Sequence, residues 1–319
     1  MSKIKSDQSI PAVDAAKQRA KTWKLMKKNW LLYLFLLPAA LYIMIFHYGP
    51  LYGLQIAFRN YKAAKGIWES EWVGLKWIIT FMETPRFWMI FKNTMVVSLY
   101  SLGSFPFPII LAVFMNNIKN QRRKKFVQTI TYMPHFISTV VLVGMLSMFL
   151  SPRNGVINLV IGFLGGSGDT YFMGSAEAFP HIYVWSGIWQ SMGWGSIIYM
   201  AALAGVGQEL HDAAQVDGAN KIQRILHIDI PSIMPTIVIM LILRLGQIMG
   251  VGYEKVYLMQ NSLNVTTSEV ISTYVYKMGL ENQRFSYSAA IGLFNNVINF
   301  VVLIIANKTA DKVSGSSLW

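Results

Sequence analysis

The chain has no cysteine among its 319 residues. Disulfide scaffolds, thiolate metal sites and cysteine nucleophiles are therefore excluded. Charge is scarce too: 13% of residues are Asp, Glu, Lys or Arg, against 54% hydrophobic. A soluble domain would lack the polar surface to cover so much apolar side chain. No GxxxxGK[ST] phosphate loop is present, so the chain carries no ATP cradle of the usual kind. HExxH and GxSxG are missing, and the five His are scattered rather than set at metal spacing. Nothing in the sequence supports catalysis by the chain itself.

What is present is apolar sequence in blocks of membrane-spanning length. A helix needs about 20 apolar residues to cross a hydrocarbon core. Six runs qualify, near 31–48, 91–115, 129–150, 182–206, 233–253 and 287–306. The expected fold is all-α, a polytopic membrane protein with six transmembrane helices. The first run follows a basic leader and no small-residue cleavage site follows it, so it reads as an uncleaved anchor. No expected span interior holds an Asp or Glu. Ion-coupled carriers place carboxylates near the midplane, so energy for any solute movement must come from elsewhere.

The net charge of +13 fits this reading. Basic residues gather in segments expected to be cytoplasmic, and no basic stripe interleaves with aromatics as nucleic acid would need. Residues 1–29 carry eight Lys or Arg against two Asp, and Arg122, Arg123, Lys124 and Lys125 crowd the 116–128 loop. Both termini are then expected inside, with residues 30–306 as the transmembrane domain and 307–319 as a cytoplasmic tail. Ala15 to Lys28 has helical composition and suits either an interfacial helix on anionic lipid or a solvated basic leader. The 59–90 segment, with five basic residues, dissents from its outside placement. The apolar stretch 155–165 is too short to span and is expected as an interfacial helix.

One polar island, residues 207–231, interrupts the apolar runs. It is expected inside the cell and reads as helix, tight turn, helix. Glu209 to Val216 forms the first helix and Gly218 the turn. Asp217 is expected to cap the second helix, whose Ile222, Ile225 and Leu226 would pack beneath the spans. Pro231 punctuates the entrance to the fifth run.

One charge sits deep. Arg244 is expected about midway along the fifth run, where burial costs about 2.5–3.5 kcal/mol, so it must face the bundle interior and find an acceptor. It either lines a solute path or bonds backbone and partner groups. Gln247 shares its face. Gln190 and Trp194 on the fourth run, with Asn295 and Asn296 on the sixth, add amides beside aromatic rings. Such pairings suit sugars, and equally they join helices to one another. Gly246, Gly250 and Gly252 are expected to allow close helix approach.

The island resembles the EAA loop of ABC-importer permeases. Asp212-Ala213-Ala214 stands for EAA, Gly218 follows after three residues, and Ile228-Asp229-Ile230-Pro231 stands for I-x-L-P after nine more. Asp212 for Glu and Ile230 for Leu depart from the pattern and keep its chemistry. The runs at 47–58, 72–77 and 271–280 and the terminal Leu318-Trp319 are similar to the oligosaccharide and polysaccharide-fragment group, maltose-type permeases of bacterial cytoplasmic membranes. The resemblance implies a type I importer permease fold, with Glu209, Asp212, Ala213, Ala214, Asp217 and Gly218 docking on a separate ATPase. It further implies a second homologous permease, two ATP-binding subunits holding ATP and Mg, an extracellular solute-binding protein and a saccharide solute. This chain needs no cofactor of its own. An integral-membrane enzyme acting on lipid-linked saccharide and an ion-coupled sugar carrier are the competing readings.

Overall fold

The computed structural model describes residues 12–319, so part of the basic leader lies outside the described residues. The described chain forms two compact units, divided between Gln55 and Ile56. The first holds α1 (Ala12–Lys28) and α2 (Trp30–Ile43). Trp23 and Leu25 on α1 are exposed, and Lys27 lies 5.7 Å from the Trp23 ring. α2 buries no residue at all and presents apolar side chains on every face, as a lipid-facing helix would.

The second unit begins with a feature absent from the all-α expectation. Strands β1 (Arg59–Lys62) and β2 (Gly66–Trp72) form an antiparallel hairpin with Arg59 opposite Trp72. Gly66, at φ +71°, allows the reversal. The Arg59 guanidinium lies 5.6 and 5.5 Å from the Trp68 and Trp72 rings and donates to the Ser70 carbonyl at 2.9 Å. Arg59 thus acts as a clasp on the hairpin.

Helices follow: α3 (Lys76–Glu83), α4 (Phe87–Leu102), α5 (Pro106–Asn116), α6 (Gln121–Tyr132), α7 (Thr139–Phe149), α8 (Val156–Phe163) and α9 (Ala178–Ala204). Then come α10 (Gln208–Val216), α11 (Lys221–Arg224), α12 (Ile230–Leu245), α13 (Tyr253–Met259), α14 (Val265–Ser268), α15 (Ile271–Tyr276) and α16 (Phe285–Ser314). Among the described residues, four helical stretches are long and apolar enough to cross a membrane: Trp30–Phe58, Phe87–Asn116, Lys221–Leu245 and Phe285–Ser314. A bent pair, Gln121–Phe136 with Thr139–Phe149, would make a fifth. α9 has the length, with 27 residues, but its Ser, Gln and aromatic content leaves it outside that set.

Three apolar clusters hold the second unit together. Phe81, Phe87, Ile90, Tyr274, Tyr287 and Ile291 join α3, α4, α15 and α16. Val97, Val143, Phe179 and Val256 join α4, α7, α9 and α13. Ile109, Ala112, Tyr199, Leu203 and Ile233 join α5, α9 and α12. Helix-to-helix approach is closest at Gly193 on α9, where an added Cβ would stand 1.9 Å from the Thr131 carbonyl oxygen of α6.

Three expected spans differ in detail. The third is no straight helix: it turns by 99° where Ile137 is extended and Ser138 caps α7 by accepting from the Val141 N–H. The second is interrupted between Leu102 and Pro106. The fifth stops early. α12 ends at Leu245, and Gly246 to Gly252 lie between helices. Gly246 still serves close approach, since a Cβ there would meet Leu303 of α16 at 2.7 Å.

Replacing Gly193 by Val should force α6 from α9 and cost about 1–3 kcal/mol, as overpacking does. Thermal unfolding in detergent should register a lower Tm for this variant and none for Gly292→Ala, where the added Cβ meets open space.

Candidate functional site

The polar island folds as its sequence predicts, helix, turn, helix, with Gly218 left-handed at φ +81°. Its Cβ position is open, so only the backbone angle demands glycine there. The cap is different from expectation. Asn220, not Asp217, caps α11: its Oδ1 accepts from the Gln223 N–H at 2.9 Å, while Gln223 Oε1 accepts from the Asn220 N–H at 2.8 Å. This reciprocal pair is a capping box, and it wins because Asn220 is the residue with extended backbone at ψ 171°. Asp217 closes the end of α10 instead.

α10 buries no residue. Glu209, Asp212 and Ala213 are exposed, Ala214 is half-buried, and two apolar side chains stand in the open: Leu210 at 51% and Val216 at 88% exposure. Exposed apolar residues on a polar helix suit insertion into another surface. Leu210 and Val216 were not singled out by the motif, whose letters fall on the small and acidic positions.

The second half of the island departs from the expected packing. Ile225 turns inward beside Ile230 and Ile233, but Ile222 and Leu226 are exposed. Nor does Pro231 start a new helix. A wide π turn over Ile225–Asp229 joins α11 to α12, and the helix runs on from Lys221 to Leu245. Pro231 has no N–H to bond the preceding turn, and a widened turn absorbs that defect.

At the far end of this helix lies Arg244. It sits in the last turn of α12 rather than midway along a span, because the glycines end the helix at Leu245. Its Nη2 donates to the Ser101 carbonyl at 3.3 Å, and it takes part in none of the described ion pairs. Arg244 and Gln247 both line two adjoining cavities. One, of about 220 Å³, is bounded by Ser98, Ser101 and Tyr183. The other, of about 340 Å³, is bounded by Trp194, Tyr199 and Pro108. Trp194 stacks on His135 with ring centroids 4.5 Å apart.

A second cation lies close by. Lys255 of α13 donates to the Tyr183 carbonyl at 2.9 Å and lies 4.8 Å from that ring. Burial lowers its pKa to about 8. The tyrosines and Lys255 escaped sequence reading because nothing in their spacing marks them; only the fold brings Tyr183 and Tyr199 to the cavities Arg244 lines and Lys255 to Tyr183.

The remaining amides stand elsewhere. Gln190 donates to the Ile137 carbonyl at 2.8 Å, holding the bend in the third span. Asn295 donates to the Met249 carbonyl at 3.4 Å, and Asn299 accepts from the Met249 N–H at 2.9 Å. These bonds secure backbone that α12 leaves unpaired. Asn296 is exposed on α16.

Residues 104–314 match the family described as binding-protein-dependent transport system inner membrane component. The chain belongs to that family. The permease is 39% identical to Protein LplB of Bacillus subtilis, across all of both chains. It is 38% identical to the polygalacturonan/rhamnogalacturonan transport system permease protein YteP of the same organism, over 98% of this chain and 99% of that one. A chain of a solved bacterial ABC transporter involved in the import of the acidic polysaccharide alginate superposes with a TM-score of 0.84. That likeness carries 39% identity over 92% of this chain and 99% of the other. The permease is thus a multi-pass subunit of the bacterial cytoplasmic membrane, and ATP hydrolysis belongs to separate subunits.

Cap identity is directly measurable. Asn220→Ala should cost α11 about 1 kcal/mol. Hydrogen exchange of the 221–224 amides should then quicken about fivefold, and Asp217→Ala should leave those amides unchanged.

Proposed function

We propose that this permease forms half of the translocation path of an ATP-driven saccharide importer, and that the saccharide is anionic. The observation that carries the reading is the continuity of one helix, Lys221–Leu245, with the exposed α10 turn at one end and the Arg244 cavity at the other. α10, with Glu209, Asp212, Ala213, Ala214, Asp217 and Gly218, docks in a cleft of an ATP-hydrolysing subunit that holds ATP and Mg. Leu210 and Val216 add the apolar contact. A second homologous permease completes the path, two ATPase subunits bind below, and a solute-binding protein delivers cargo from outside.

Six spans serve this arrangement, counting α9 and the bent pair as one each, with both termini cytoplasmic. Residues 12–29 then lie on the inner lipid surface. The basic 59–90 segment can lie outside because two of its five basic side chains, Arg59 and Arg86, are engaged locally. Arg59 clasps the hairpin, and Arg86 stands 3.6 Å from Glu269.

The saccharide reading draws on the galacturonan named for YteP and the acidic polysaccharide named for the solved relative. The cavity supports it chemically. Arg244 has no carboxylate partner among the described residues, and Gln247, Ser98, Trp194 and Tyr199 offer hydroxyl, amide and ring surfaces. A guanidinium meets a carboxylate with two parallel hydrogen bonds, which a lysine cannot copy.

The test is uptake by the assembled importer in liposomes. Arg244→Ala should lower uptake of a uronate oligomer tenfold or more, in keeping with about 1.5–3 kcal/mol for a hydrogen bond to a charged group. Uptake of a neutral oligomer, if any, should change little. Equal loss for both, with the complex intact, would refute the anionic reading.

A further inference from the structure

α10 has almost nothing to hold it at its angle. Of its nine residues only His211 and Ala214 are turned inward, and neither is fully buried. The Gln208 to Asp212 side-chain bond lies within the helix itself. Among the described hydrogen bonds and ion pairs of α10 side chains, that of His211 alone reaches across the turn. Its Nε2 lies 3.3 Å from Oδ1 of Asp229, a carboxylate only 3% exposed at the base of α12. That contact requires Nε2 to carry its hydrogen.

Asp229 is an unusual residue to bury there. Its Oδ1 takes no hydrogen bond of good geometry. The Asn117 side chain, at the end of α5, lies beside the same carboxylate, and the Arg224 charge is near. Arg224 belongs to the same continuous helix as Asp229, so attraction between those two cannot hold α10. His211 is the group that joins the docking helix to the span helix.

We infer that His211 and Asp229 form a clamp that positions α10 on α12, so that a push on α10 moves the span helix instead of bending the Gly218 turn. The turn on its own is a poor lever. Gly218 has open space around it, and a glycine backbone yields easily. With the clamp closed, the turn is bridged on its inner side and force passes to Asp229. Arg244 follows fifteen residues on, roughly 22 Å along the helix at 1.5 Å per residue. His211 and Asp229 touch neither nucleotide nor solute, so both are positioning residues. The inference rests on the coupling reading above.

The experiment uses the whole importer in liposomes with its solute-binding protein and a uronate oligomer. His211→Ala should leave ATPase subunits co-purifying in unchanged amount and cut solute-stimulated hydrolysis at least fivefold. His211→Gln, which keeps a side-chain N–H donor, should restore most of the stimulation; a merely structural loss would not be rescued by the donor. The double variant His211→Ala/Asp229→Ala should be no worse than the poorer single one, because both remove the same contact. Should Asp229→Ala fail to assemble, the His211→Ala and His211→Gln comparison decides alone. Stimulation unchanged in His211→Ala, or losses that multiply in the double variant, would overturn the clamp and leave the coupling reading standing. A wild-type importer without solute-stimulated hydrolysis would instead overturn the coupling reading beneath it.

Discussion

The Gly218 turn and the cavity of this permease are joined by one helix that its prolines, Pro231 and Pro235, do not break. A proline within a helix removes one backbone bond and crowds the preceding turn, at a cost of about 3 kcal/mol or more when nothing compensates. Here the π turn over Ile225–Asp229 takes up the mismatch just before Pro231, and the helix continues to Leu245. Without that accommodation the helix would kink at its base, and the cavity residue Arg244 would have no rigid link to α10. The same widened turn brings Asp229 inward beneath His211.

The cavity exists because helices stop short around it. α12 ends at Leu245, the second span is interrupted between Leu102 and Pro106, and the third bends at Ile137. In a membrane, freed carbonyl and N–H groups must find partners inside the protein. Arg244 bonds Ser101, Gln190 bonds Ile137, and Asn295 and Asn299 bond Met249. The polar side chains that stand out in apolar sequence are thus partly the repair of broken helices. Arg244 does both: it bonds the Ser101 carbonyl, which also accepts from Ser104, and lines the cavity with its guanidinium.

Much of this architecture is legible in the residues. Apolar runs of spanning length mark the span helices, and the spacing from Asp212 to Pro231 marks the island and its turn at Gly218. The losses are instructive. Asp217 and Asn220 both suit an N-cap by composition, and backbone dihedrals, which no local pattern discloses, decide for Asn220. Gly246, Gly250 and Gly252 read as packing positions, and the fold uses Gly246 for packing and also as the end of α12. The hairpin at 59–72 hides because Arg59 belongs to a charged segment whose aromatic partners, Trp68 and Trp72, lie nine and thirteen residues away. Tyr183 and Tyr199 join the cavity by long-range packing alone, and Lys255 reaches Tyr183 in the same way.

The central claim is that α10 and the Arg244 end of α12 move as one body. The cysteine-free chain makes this open to clean labelling, with spin labels introduced at the exposed positions Val216 and Leu243 of the assembled importer. Pulsed electron resonance would read the distance between them without nucleotide and with trapped ATP. The account predicts the same distance in both states, within about 2 Å, the scale of small rigid shifts, while a label pair spanning the two permease subunits changes. A change of the Val216–Leu243 distance well beyond that range would show the turn bending and would contradict it.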